Sequence, residues 1–505
     1  MPTNVRIEST PKFCSGSIMH HVVVMSATAS LGLISIFLVD FANLFYISLL
    51  GEKELAAAIG YAGTILFFLT SVAIGIMIAA TAVVSRALGK GERDNARLLA
   101  GSALIFMFAT MALLAALFFP FIEKAAAFVG AEGETLRIAT DFLQLVVPST
   151  PLLGLGLALS GILRAAGDAK RAMYATLGTG IFTAALDPLL IFTFDLGVMG
   201  AAYSTALSRL GTIVIALHSI IRIHDLLGFP PITKVREDIK PLTVIAVPAI
   251  LANIATPFAN AYVTSSIAAF GDDAVAGWAF IGRLIPVAFG MIFALSGAIG
   301  PIIGQNYGGN HYERVRETVI DSLIVILAYT LGVWLILFLA QDFIVNAFQL
   351  TGGAAELVTF FINIVIVTFL FNGALFVANA TFNNLGYAAY STALNWGKAT
   401  LGTIPFVWMG ADLAGAKGAI AGQGIGYIVF GVMGISLCAR VIKDIAAKQK
   451  TAESEQKNHI IMSSMPAFSS GKCAGMCLHH EDEKYEENLP LPINPEGRDR
   501  AEPTV

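Results

Sequence analysis

Apolar residues run along this chain in long unbroken stretches parted by short polar connections, and the spacing predicts twelve helices that cross a membrane. The stretches fall at roughly 20–50, 55–84, 98–121, 136–161, 172–194, 199–221, 241–269, 274–303, 319–341, 355–381, 393–410 and 415–439. A bilayer core ~30 Å thick needs about 20 mostly apolar residues per helix. Backbone polar groups must be satisfied internally there, which leaves helices or a closed barrel. Runs as long as Val22 to Leu50 do not fit the short alternating strands of a barrel. The expected fold class is all-α, polytopic, with twelve transmembrane helices in two pseudo-symmetric six-helix lobes around a central cleft.

The connections alternate in charge. Arg86, Lys90, Arg93 and Arg97 follow the second stretch, Arg164, Lys170 and Arg171 the fourth, and Arg222, Lys234, Arg236 and Lys240 the sixth. Arg314 and Arg316 follow the eighth, and Lys443, Lys448 and Lys450 the twelfth. The intervening connections are short or acidic, and only the one after the tenth lacks the expected basic signal. Lys and Arg bias sets orientation, so both termini are expected in the cytoplasm, with the protein in the cell's inner membrane. The first apolar run is too long for a cleaved signal peptide and is read as a retained helix.

The chain also repeats itself. Gly51 and Gly271, Gly89 and Gly308, Gly167 and Gly386, and Gly200 and Gly418 stand in like contexts 218–220 residues apart. The expected organisation is a cytoplasmic segment 1–19, an N-lobe 20–221, a linker 222–240, a C-lobe 241–440 and a disordered cytoplasmic tail 441–505. The polar, acidic composition of the tail lacks apolar periodicity. Duplicated halves suit a secondary transporter, with substrate at their interface and alternating access by rocking.

Composition narrows the classes further. The 505 residues are 56% hydrophobic and 13% charged, with mean hydropathy +0.74, where soluble domains carry roughly 25% charged residues. A net charge of −4 implies no nucleic-acid partner. The four cysteines suggest no disulfide framework. The string CAGMCLHHEDE in the tail holds Cys473 and Cys477 but fits no zinc spacing, so no metal is expected. No GxxxxGK[ST] loop, Ser-His-Asp set or HExxH pattern occurs. Energy is therefore expected from an ion gradient, without a cofactor, and the chain is not expected to be an enzyme.

Two acids lie inside apolar runs, where an ionisable group costs roughly 2.5–3.5 kcal/mol or more. Asp40, in IFLVDFANLFYISLL, is ~15 Å from the outer end of its helix, and Asp187, in TAALDPLLIFTF, is ~10 Å deep. Burial disfavours a carboxylate's charged form, and a second acid nearby disfavours it further. Such a pair can exchange protons near neutral pH, or hold Na⁺ through oxygen ligands. Asn43, three residues after Asp40, and Thr183, four before Asp187, are candidate additional ligands. Pro188 removes a backbone hydrogen bond beside Asp187 and is the candidate hinge. The repeat places Asn260 opposite Asp40 and Phe406 opposite Asp187, so coupling is expected in the N-lobe alone.

For the substrate cleft the candidates are Phe41, Phe45, Phe67, Tyr262, Asn260, Arg283, Met291, Phe293 and Phe376. Aromatic faces suit lipophilic cations. Arg283, placed mid-run, reads as a counter-charge to an aspartate or an orienting group for substrate. Lys398 is expected to snorkel to the cytoplasmic surface.

These residues resemble the multidrug and toxic compound extrusion (MATE) family. The resemblance spans roughly 20–440 and is carried by VDFANLFYISLLGEKELAAAIG, SRALGKGERDNAR, GILRAAGDAKRAMYATLGTGIFTAALDPLLIF, LGVMGAAYSTALS and PIIGQNYGGNHYERVRE. It implies a secondary antiporter exporting amphiphilic or cationic organic compounds in exchange for H⁺ or Na⁺. Asp40 and Asp187 fall on the family's acidic positions, and in the family the acid on the first helix binds the coupling cation. Thr183 stands where the family often has Asn, the early proline of the first helix is absent, and the further acids some branches carry in the seventh and tenth helices are missing. The chain looks most like the branch that includes DNA-damage-inducible protein F. The expected partners are small amphiphilic molecules and the lipid bilayer, and a monomer is expected. A flippase for a lipid-linked precursor would need several deep basic groups, and an intramembrane enzyme would need a catalytic constellation that the apolar runs lack.

Overall fold

The computed structural model describes residues 11–48 and 53–464, with side chains described for 11–39, 55, 57–449 and 451. After a short turn at Lys12–Cys14, the chain makes twelve helical passes. They are α1 (Ile18–Ser48), α2 (Lys53–Gly89), α3 (Arg93–Phe128), α4 (Gly133–Ala165), α5 (Ala169–Pro188), α6 (Gly197–His218) and α7 (Ile232–Ala268). There follow α8 (Asp272–Ala288 and Gly290–Gly308), α9 (Tyr312–Ala347), α10 (Gly352–Asn363 and Val365–Leu385), α11 (388–413) and α12 (416–464).

Two of these passes need a physical account. The halves of α8 meet at 42°, just after Pro286, whose missing N–H and ring disrupt the preceding turn. α11 and α12 run on without a loop, parted only by non-helical Ala414 and Gly415. Gly415 has φ +61°, a conformation that costs glycine little and other residues more. The last helix continues to Ser464, where a disordered tail is expected from 441. Val441 and Ile442 are buried in the C-lobe core and Ile445 packs on it, and the residues beyond are rich in Ala, Lys, Gln and Glu, which favour helix. The Cys/His string beyond lies outside the described residues.

The repeat seen in the sequence recurs in backbone conformation. Left-handed residues pair at Gly91 and Asn310, Gly130 and Gln349, Gly133 and Gly352, and Gly167 and Gly386, each 219 apart. α3 and α9 begin at Arg93 and Tyr312 and end at Phe128 and Ala347, with the same offset. α4 breaks at Val147–Ser149, and α10 breaks at the matching Val365–Thr368.

Where the apolar cores mix the two halves decides where the cleft opens. One core joins Phe13, Ile18, Val22 and Met25 to C-lobe residues such as Ile299 and Phe382. A second joins Val84 and Leu163 to Leu242, Ile245 and Ala388. Both junctions lie at the end that carries the basic loops. At the opposite end, the core around Leu69, Leu143 and Val198 is N-lobe alone. Among the described residues, the halves therefore share packed interior at the basic-loop end only.

Candidate functional site

α5 and α6 run antiparallel, and residues four apart on each share a face. Thr179 pairs with Thr212 hydroxyl to hydroxyl. One turn on, Thr183 Oγ1 lies 2.6 Å from Ser208 Oγ and 3.0 Å from the Thr179 carbonyl. The third step of this seam brings Asp187 to Ser204. Asp187 is fully buried, and neither carboxyl oxygen has a hydrogen-bond partner. Ser204 is near enough to act on it, yet the two do not complete a hydrogen bond by donor–acceptor geometry, and the Ser204 hydroxyl is also unpartnered. A buried carboxyl without such a bond is left unsatisfied. The helix ends at Pro188 and widens into a π-helical turn, Leu189–Thr193. Such turns gather at functional sites.

Asp40, Asn43, Phe41 and Phe45 lie on the last part of α1, but their side chains fall outside the described residues. Thr183 shares the buried face of Asp187 but spends its hydroxyl on α5 and α6 neighbours. Of the cleft candidates, Phe293 and Phe376 meet edge to face at 5.7 Å. Tyr262 reaches the Ile404 carbonyl at 3.5 Å, Met291 is half-buried, and Phe67 and Asn260 are exposed. Arg283 is also exposed, with no carboxylate against it among the described residues.

Two deep cations are placed differently from the sequence reading. Lys398 does not snorkel: it is 5% exposed, because α10 and α12 close over it on α11. Its Nζ donates to Asn372 Oδ1 at 3.1 Å and lies 5.5 Å from the Tyr427 ring and 6.0 Å from the Phe376 ring. Arg209, also mid-helix and buried, carries the same signal in its apolar run as Arg283 but is not among the sequence candidates. It donates to the Val146 carbonyl at 3.2 Å and to Ser149 Oγ at 2.5 Å, and so fills the break that Pro148 makes in α4.

At the basic-loop end the lobes close through a pseudo-symmetric crossing of α2 and α8. A Cβ on Gly89 would lie 2.1 Å from the Gln305 carbonyl oxygen, and one on its repeat mate Gly308 would lie 2.2 Å from that of Arg86. The reciprocity extends to side chains. Arg86 Nε donates to the Asn384 carbonyl at the end of α10 (2.7 Å), and Gln305 Nε2 to the Ala165 carbonyl at the end of α4 (2.7 Å). Helix C-termini present unpaired carbonyls that such donors satisfy.

The segment before α1 wedges into this closure. Phe13 is buried, its N–H donates to Gln305 Oε1 at 2.9 Å, and its carbonyl accepts from Asn306 and Arg314, both at 3.0 Å. Lys12 Nζ donates to the Gly167 carbonyl of the other lobe at 2.5 Å. Beside it lies a cavity of about 570 Å³ lined by Lys12, His20, His21, Asp168, Arg171 and His224 among others. Asp168 caps α5, accepting from the Arg171 backbone N–H at 3.1 Å and facing the His224 ring at 2.7 Å. Burial pushes this carboxyl up, but the Arg171 and His224 hydrogen bonds and the Arg171 charge more than reverse it, leaving it below the usual aspartate value.

Comparison with known proteins agrees with this architecture. The MatE family model matches the chain twice, over 29–189 and 248–409. A FAD transporter of Shewanella oneidensis is 28% identical over 431 residues, covering 84% of this chain and 95% of that one. The multidrug export protein MepA of Staphylococcus aureus is 24% identical over 356 residues, covering 70% and 78%. Among solved structures, the Vibrio cholerae MATE transporter VcmN in its bent form superposes with TM-score 0.80 at 22% identity, over 85% of this chain and 97% of that one. A Pyrococcus furiosus transporter of the MOP superfamily, described as having a binding pocket of reversed polarity, superposes with TM-score 0.80 at 20% identity, over 86% and 98%. The chain thus belongs to the MatE family and is a multi-pass membrane efflux transporter, not an enzyme.

Proposed function

We propose that this transporter is a secondary antiporter, exporting amphiphilic organic compounds in exchange for H⁺ or Na⁺ by alternating access. The observation that carries the reading is Asp187, a fully buried acid with both oxygens unbonded. A buried ionised carboxylate without donors bears the full cost of lost hydration, so capture of a proton or a hard cation relieves it strongly. Asp40, on α1, is the second coupling acid. The seam of Thr179, Thr183 and Ser208 lines one side of the site with hydroxyl oxygens. Coupling then resides in the N-lobe.

On this reading the closed end, which carries the basic loops, is the cytoplasmic one, both termini lie there, and the protein works in the inner membrane as a monomer. With that end shut, the cleft faces outward. Substrate leaves as the coupling cation arrives at Asp187 and Asp40. The reverse occupancy follows when the α2–α8 crossing parts and the cytoplasmic side opens. The names of the relatives, a FAD transporter and a multidrug exporter, support aromatic amphiphiles as substrates.

The test is ethidium efflux from proteoliposomes under an imposed H⁺ gradient, an imposed Na⁺ gradient or neither. Efflux is expected only with one of the two gradients. Efflux at equal rates under all three conditions would reject antiport.

A further inference from the structure

The C-lobe holds a buried charge that the coupling mechanism does not use. Lys398 sits ten residues into α11, ~15 Å from its start, close to the midplane of a ~30 Å hydrocarbon layer. It is 5% exposed. An ammonium has three donors, and one is taken, by Asn372 Oδ1 at 3.1 Å. No carboxylate bridges to it or acts on it among the described residues. The Tyr427 and Phe376 rings at 5.5 and 6.0 Å offset only part of the lost hydration. The repeat mate of Lys398 is Thr179, so the N-lobe holds a hydroxyl where the C-lobe holds a cation.

Phe376 links this site to α8. Its ring lies 6.0 Å from the Lys398 ammonium and meets Phe293 of α8 edge to face at 5.7 Å. Both rings are half-buried, so a partly covered aromatic surface stands beside a positive charge with two donors left over.

We propose that Lys398 recognises the anionic group, phosphate or carboxylate, of an aromatic organic anion carried by this transporter, with Phe293 and Phe376 stacking its ring. An anion there completes the ammonium's hydrogen bonds and compensates its charge. The buried Arg209 of the N-lobe, by contrast, spends its donors on the Val146 carbonyl and Ser149 Oγ, whereas Lys398 has one hydrogen-bond partner. The biological use of the site rests on the transport reading above, but its binding is measured separately.

The experiment is equilibrium binding of FMN, FAD and riboflavin to the full chain in nanodiscs of zwitterionic lipid, with ethidium exchange as the transport control. The wild type is expected to bind FMN or FAD about thirtyfold or more tighter than riboflavin, which carries the same ring without phosphate. Lys398→Met is expected to lose that preference, keep ethidium exchange within about twofold and melt no lower than the wild type, because an apolar isostere replaces an uncompensated charge. Lys398→Arg is expected to retain the preference. Equal binding of riboflavin and FMN by the wild type overturns the proposal. So does a Lys398→Met protein that fails to fold, or that loses ethidium exchange together with flavin binding, since either marks a structural lysine. Loss of FMN binding when the nanodiscs contain phosphatidylglycerol assigns the site to a lipid headgroup and likewise overturns it. Failure of ethidium exchange in the wild type itself counts against the transport reading, not against this site.

Discussion

Asp168 and Asp187 stand at opposite ends of α5 and are held in opposite ways. Asp168 is satisfied by Arg171 and His224, which keep its carboxyl below its usual value despite burial. A depressed folded value means that its stabilisation is complete above the unfolded value of about 3.9 and fades as pH falls through the folded one. Asp168→Asn keeps the helix cap but loses the charge, so it is expected to cost about 1 kcal/mol at neutral pH. The difference in melting temperature should shrink toward zero in acid, and a pH-independent difference would contradict this assignment. Asp187 is legible in the sequence because nothing around it in TAALDPLLIF can solvate it. Ser204 and Ser208 are not legible, since serines are common in apolar runs and only the antiparallel register of α5 and α6 aligns these two with Asp187 and Thr183. Lys398 departs from the expected snorkelling for a related reason. A lysine's reach suits snorkelling at a helix end, but here α10 and α12 cover it mid-helix.

At the scale of elements, the α2–α8 crossing is where the lobes meet at the basic-loop end. Its glycines leave backbone against backbone, and a side chain at Gly308 would meet the Arg86 carbonyl at 2.2 Å. Gly308→Val is expected to destabilise the closed state by about 1–3 kcal/mol, a shift of roughly 5- to 150-fold in population. Spin labels at the cytoplasmic ends of α2 and α8 should report a longer distance, and an unchanged distance distribution would contradict the assigned gate. The helices themselves are readable from run length, most ends to within about seven residues, but α7 begins at Ile232, nine residues before its apolar run and inside the expected 222–240 linker. The internal breaks are not readable. Pro148 signals the break in α4, but the matching break in α10 has no proline, so there tertiary packing overrides local propensity. The extension of α12 to Ser464 is less legible: Val441, Ile442 and Ile445 pack on the C-lobe core, but the residues beyond rest on helix propensity alone.

For the whole molecule, the 219-residue repeat is the organising fact. It shows in helix ends, in left-handed residues and in the reciprocal bonds of Arg86 and Gln305. The halves differ in their buried charge: a bare carboxyl in one, a caged ammonium in the other. The sequence exposes the carboxyl asymmetry, since Asp187 aligns with Phe406. It does not expose the cage, whose members come from three helices. The most direct test follows ion and substrate together in proteoliposomes, with pH- and Na⁺-sensitive dyes inside and ethidium as substrate. The wild type should move one of the two cations when ethidium is added, and Asp187→Asn should still bind ethidium while cation movement falls to background. Cation movement at the wild-type rate in Asp187→Asn would contradict the account.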